Sequence, residues 1–277
     1  MKPLTGAIAG LLFVLCASTG AKSAVVFCDA GARDAAATNA RSLDSMAWSP
    51  LGRVETGWEI YAPLVAQEVA TGCPAGSPGF ASALAGWQAK HNLAGTGVLD
   101  PATFAVMKQL WQASRPFVAL AHTGCPNPLD ESKLALARPD ESYGGKVIAL
   151  LPGALAAYRK MVAAARAELL AAETDRRLLT IFSGYRSPSY DAARCAREKN
   201  CQGLVRATCS AHRTGLAMDM DLGPAPGFGP DSSADTNRLY LARSQVYRWL
   251  VYNAWRFGLA NYVFEPWHWE WTGEPSH

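Results

Sequence analysis

Two of the five histidines in this chain sit in company that suits metal chemistry. His212 lies in the string CSAHRTGLAMDMD, residues 209–221, and His268 lies in FEPWHWEW, residues 264–271. Two imidazole nitrogens and the carboxylate of Asp219 make a three-ligand set suited to zinc, which leaves a fourth position for water. Taken alone, two histidines this far apart fit a pair of hydrogen-bonded core residues equally well. Their surroundings sharpen the reading. Gly215 allows a bend between His212 and Asp219, so both ends of one short segment can face a single point. Glu265 stands three positions before His268, and Pro266 between them breaks any regular helix. In an extended or turning segment, His268 reaches a metal while Glu265 reaches a water bound there.

These residues need a scaffold, and the periodicity outlines one. Leu178 to Phe182 is a short apolar run ended by Gly184, as a strand is. Leu216 to Leu222 is a second compact apolar run, interrupted by Asp219 and Asp221, and Val263 to Trp271 reads as a final strand. A long amphipathic helix is expected from Pro152 to Glu173, burying Leu155, Tyr158, Val162 and Leu169. Another helix carries Val246, Trp249, Leu250 and Phe257. Helices alternating with a few short strands imply an α+β domain with a small antiparallel sheet flanked by helices. Upstream, Ile60, Tyr61, Leu64, Val65 and Val69 recur at helical steps, Phe80, Leu84 and Trp87 mark a second helix, and Asp100-Pro101 caps a third. The expected organisation is a signal peptide at 1–23, a tether at 24–52, a three-helix bundle at 53–115, a linker at 116–145 and a catalytic domain at 146–277.

The pattern formed by Ser210, His212, Gly215, Ala217 and Asp219 resembles the zinc motif of the D-alanyl-D-alanine carboxypeptidase family, which includes vancomycin-resistance carboxypeptidases and related cell-wall endopeptidases. EPWHW at 265–269 is similar to that family's second motif, and SGYRS at 183–187 to a third, upstream one. All three stand in the family's order, across roughly residues 145–273. The resemblance implies one catalytic zinc ion held by His212, Asp219 and His268, with Glu265 as the general base for water activated there. It also implies that Arg186 holds substrate or the developing oxyanion, and that the substrate is a peptidoglycan stem peptide. Asp221 misses the family offset and is expected to bind backbone, or a group behind the metal ligands, instead. Residues 80–111 resemble the peptidoglycan-binding-like helical domain found beside many wall hydrolases. The chain departs from the family pattern in a cysteine-bearing insertion at 191–209 and an irregular segment at 223–235. The leading reading implied is hydrolysis of the terminal D-alanyl-D-alanine bond with release of D-alanine; these departures keep a D,D-endopeptidase and an L,D-carboxypeptidase as alternatives, and a non-catalytic wall-binding protein competes with all of them. Trp267 and Trp269 both compete for the cleft wall.

The rest of the chain bounds these readings. Lys2, the apolar run Ala7–Ala17 and small residues around Ala21 and Ser23 follow the plan of a secretory signal cut after Ser23, with a short membrane anchor as the competing reading. Nothing later offers 18 uninterrupted apolar residues, so no stable membrane span is expected after cleavage. Removing Lys2 and Lys22 lowers a formal charge of +3 by two, which gives no electrostatic reason to bind nucleic acid. The expected location is therefore periplasmic or extracellular, associated with the cell wall. Six cysteines remain after cleavage, three early and three late, and an oxidising compartment favours disulfides. With an odd number in each group, either one bridge crosses between the groups or two cysteines stay free.

Overall fold

The computed structural model describes residues 27–199, 201 and 209–273. The expected signal peptide lies outside the described residues, as does the middle of the 191–209 insertion. The first described element is helix α1, Arg33–Ser42, within the segment read as a tether. It has almost no apolar stripe. Its anchor is the buried amide of Asn39, which donates to Gly97 O at 2.8 Å and accepts from Leu99 N–H at 2.9 Å. The Cys28–Cys73 disulfide fixes the chain just before it. A hairpin of β1 (Ala47–Trp48) and β2 (Glu55–Thr56) follows, then helices α2 (Ala62–Glu68), α3 (Pro78–Lys90), α4 (Pro101–Ala113) and α5 (Pro116–Leu120). The start of α4 follows the sequence rule: Asp100 accepts from Thr103 N–H at 2.7 Å, with Pro101 in the first turn.

These helices do not form a discrete three-helix bundle. With α1 and the hairpin they surround one apolar cluster around Trp58, Tyr61, Phe80 and Phe104. Leu64 of α2, however, is buried in the core of the following region, and Leu239 from that region packs on the first cluster. An amphipathic helix with two buried faces joins two cores, and hydrophobic spacing alone does not say which core owns it.

Strands β3 (Ala135–Leu136) and β4 (Ala149–Leu150) pair within and beyond the expected linker. Helix α6, Pro152–Glu168, breaks at Leu169 before the short α7, Leu170–Thr174. Then come β5 (Ile181–Ser183), α8 (Pro188–Glu198), β6 (Ala217–Met220), α9 (Asp235–Arg243), α10 (Gln245–Asn253), β7 (Leu259–Asn261) and β8 (His268–Trp271). The last four strands form one antiparallel sheet in the order β5-β6-β8-β7. The fold is thus mixed α+β with small antiparallel sheets and flanking helices. Among the described residues, no helix is long and apolar enough to cross a membrane.

Candidate metal centre

The sheet brings the expected residues together through its register. Asp219 on β6 lies opposite His268 on β8 and opposite Ser183 on β5. Strand alternation sends Met218 and Met220 into the core and leaves Asp219 on the other face. On β8 the same rule puts His268 and Glu270 on one face and Trp269 in the core. Trp267, not Trp269, lines the cavity that contains the three ligand candidates. His212 arrives from a single 3₁₀ turn, Ala211–Thr214, started by Ser210 and ended by Gly215 at φ 68°. That left-handed backbone favours glycine, and a Cβ there would press on Leu129 at 3.0 Å.

Donor atoms of His212, Asp219 and His268, all buried, lie within 4.8 Å of one another. The protons on these groups follow from their partners. Nδ1 of His212 lies 2.7 Å from Gly184 O, a group that only accepts, so Nδ1 carries the proton. Burial, helped by the Arg186 charge, lowers the His212 pKa to about 4, so its Nε2 is bare at neutral pH. That bare nitrogen faces Asp219 Oδ2 at 3.2 Å. Burial alone would raise the Asp219 pKa, but the N–H and the positive charge of the neighbouring His268 hold it well below the usual carboxylate range. Two electron-pair donors thus face each other with no proton between them, which is an arrangement a cation satisfies. The cluster is able to coordinate a metal ion, and its donor types suit zinc.

His268 points Nδ1 at Asp219 Oδ1, 2.9 Å away, and Nε2 at Glu270 Oε1, 3.2 Å away. Burial pulls its pKa down, yet the flanking carboxylates of Asp219 and Glu270 outweigh this and raise it to about 9. In the metal-free protein an imidazolium therefore supplies the positive charge between the two acids.

Glu265 and Arg186 share the same cavity, of about 250 Å³. Glu265 Oε2 is 3.8 Å from His268 Nδ1. The turn from Glu265 to His268 is braced by Asn261, whose Nδ2 donates to Glu265 O at 3.2 Å and His268 O at 2.8 Å. Arg186 is only 12 % exposed and stands 3.8 Å from Asp219. Asp191, Ser183 and Ser210 accept from its three nitrogens at 2.7, 2.6 and 2.9 Å. Asp191 also lines the cavity, and its Oδ2 has no hydrogen-bond partner among the described residues. Asp221 stays out of the cluster and accepts from Gly223 N–H at 2.9 Å, as its offset implied. Disulfide Cys125–Cys209 ties the segment just before His212 to the 116–145 region, so one bridge does cross between the cysteine groups. Cys195 and Cys201 are both free, so two cysteines also stay outside disulfides. Sequence reasoning missed Asn261, Asp191, Glu270 and Arg115 at this site, because only their partners across the sheet make them significant.

No protein-family model matches this chain, and no curated protein sequence matches it. Among solved structures, the LdcB LD-carboxypeptidase, reported with the molecular basis of peptidoglycan recognition, is 22 % identical. Its TM-score is 0.35, over 52 % of this chain and 70 % of that one. The vancomycin-resistance D,D-pentapeptidase VanY of a VanB-type cassette, solved as a point mutant with Zn(II), is 20 % identical. Its TM-score is 0.30, over 53 % of this chain and 83 % of that one. Both likenesses are remote, and the chemistry of the centre is argued from its own geometry.

Proposed function

We propose that this protein is an exported, zinc-dependent peptidase that hydrolyses the terminal D-alanyl-D-alanine bond of peptidoglycan stem peptides and releases D-alanine. The observation that carries the reading is the convergence of His212, Asp219 and His268 in one cavity that Glu265 and Arg186 also line. Zinc bound by the three ligands would supply a Lewis acid for the scissile carbonyl and lower the pKa of its water. Glu265 then accepts the proton of the attacking water and returns it to the leaving amine. Arg186, held on three sides, keeps its charge where negative charge develops on the carbonyl oxygen. The two disulfides support an oxidising compartment, periplasmic or extracellular.

The test is mass spectrometry of pentapeptide muropeptides and cross-linked dimers after incubation with zinc-loaded protein, beside Glu265→Gln. Loss of one terminal alanine with the intact protein alone supports the proposal. Cleavage of dimers without that loss assigns a D,D-endopeptidase, and trimming of tetrapeptides assigns an L,D-carboxypeptidase. Absence of any product that depends on Glu265 points to a non-catalytic wall-binding protein.

A further inference from the structure

Glu270 follows His268 by two positions on β8, on the same face, and its side chain is 1 % exposed. Both of its oxygens are held from a part of the chain some 155 positions earlier. Arg115 donates to Oε1 through Nε at 2.8 Å and through Nη2 at 2.5 Å. The backbone N–H of Phe117 donates to Oε2 at 2.9 Å. Arg115 is itself fixed: its Nη1 donates to Gln112 at 2.9 Å, and its guanidinium lies 4.2 Å from the centre of the Tyr262 ring. Gln112 lies in the last turn of helix α4, Arg115 stands just beyond it at the N-cap of α5, and Phe117 lies in the first turn of α5. The helical region therefore reaches the metal-ligand strand with a charge, an N–H and a cavity wall.

The geometry constrains His268. A carboxylate pinned at both oxygens meets the imidazole as an acceptor, so the proton stays on Nε2 and Nδ1 is the nitrogen turned to Asp219. A carboxylate behind a ligating histidine sets its ring orientation and tautomer. Arginine suits this task because its planar fork places two N–H groups on one oxygen while its face stacks on an aromatic ring, and a lysine ammonium does neither.

We infer that Arg115 is a positioning residue of the metal centre, acting through Glu270 on His268, so that the N-terminal helical region completes the centre in addition to any wall-binding role. The inference rests on the reading of His212, Asp219 and His268 as metal ligands. Arg115 touches no reacting atom in this scheme. It sets which nitrogen of His268 is offered and how firmly.

The experiment uses the full chain loaded with cobalt(II), reading both the visible ligand-field spectrum and the affinity by competition with a chelator. Arg115→Met is expected to weaken cobalt binding about 10- to 100-fold and to shift the spectrum, and Arg115→Lys to restore little of either. Arg243→Met serves as the control, because Arg243 joins the same two regions through Glu59 at 2.6 Å on the surface. It should leave affinity and spectrum unchanged. If Arg115→Met does not fold, Gln112→Ala loosens the same guanidinium more gently and should move both readouts in the same direction. Wild-type affinity and spectrum in the folded Arg115→Met protein, or in Gln112→Ala where the former does not fold, overturn the inference. Failure of the wild type to bind cobalt through histidine nitrogen overturns the metal-centre reading itself.

Discussion

The metal-free protein should release one proton for each zinc ion bound, and its affinity should climb with pH. His212 already presents a bare Nε2 near neutrality, since its pKa lies at about 4. His268 is different. Burial would lower its pKa, but Asp219 and Glu270 raise it to about 9, and the proton on Nδ1 occupies the position that a cation needs. Below that value the ion must displace the proton. At pH 7 the imbalance is about two pH units, which corresponds to ~2.7 kcal/mol of binding energy spent on deprotonation. The apparent dissociation constant should therefore fall about tenfold per pH unit from about pH 5 to pH 8 and level off above about pH 9. Titration calorimetry at several pH values, in buffers of different ionisation enthalpy, reads both the slope and the proton count. A dissociation constant independent of pH in this window, or a release of zero or two protons at pH 7, would refute the argument.

Three further outcomes follow from particular contacts. Arg238 is fully buried and bonds Glu55 at 3.2 Å, Tyr61 at 2.9 Å and Phe264 O at 2.9 Å, joining the helical region to the segment before Glu265. Arg238→Met leaves the buried Glu55 with only the half-exposed Arg53, 3.7 Å away, as its cation and should cost about 3–5 kcal/mol, or roughly 6–20 °C in a thermal melt; a shift of a degree or less contradicts this. Arg186→Ala should lower turnover about 100- to 1,000-fold with zinc content unchanged, measured by alanine release and metal analysis. Loss of the zinc would instead assign Arg186 to holding Asp219. Replacing Cys125 and Cys209 together by serine should cost about 2–4 kcal/mol, and an unchanged melting temperature would show that the bridge adds nothing.

The ligand candidates were legible because each depends on local spacing. His212 lies in a turn and Asp219 in the four-residue strand that follows it, and strand alternation decides that Asp219 rather than Met218 or Met220 faces the histidines. Capping chemistry likewise marked the start of α4 at Asp100. Helix α1 was not legible, since a buried Asn39 amide and a disulfide hold it where an apolar stripe would have been visible. The choice of Trp267 over Trp269 for the cavity wall waited on where β8 begins, which alternation alone leaves open. Arg115 and Glu270 escaped notice for another reason. A buried ion pair between residues so far apart in sequence leaves no periodic trace, and an arginine near a proline reads as surface until its carboxylate is found. The three-helix bundle at 53–115 is not discrete on the same ground: Leu64 belongs to a core whose other fully buried members lie beyond residue 147.

Anomalous diffraction at the zinc edge from crystals of the full chain would locate the ion itself. A single strong peak is expected about 2.0–2.2 Å from His212 Nε2, an Asp219 carboxylate oxygen and His268 Nδ1. Glu265 should stand beside the peak without ligating it. A peak bound elsewhere, or one held by His268 Nε2 with Glu270 displaced, would contradict this assignment.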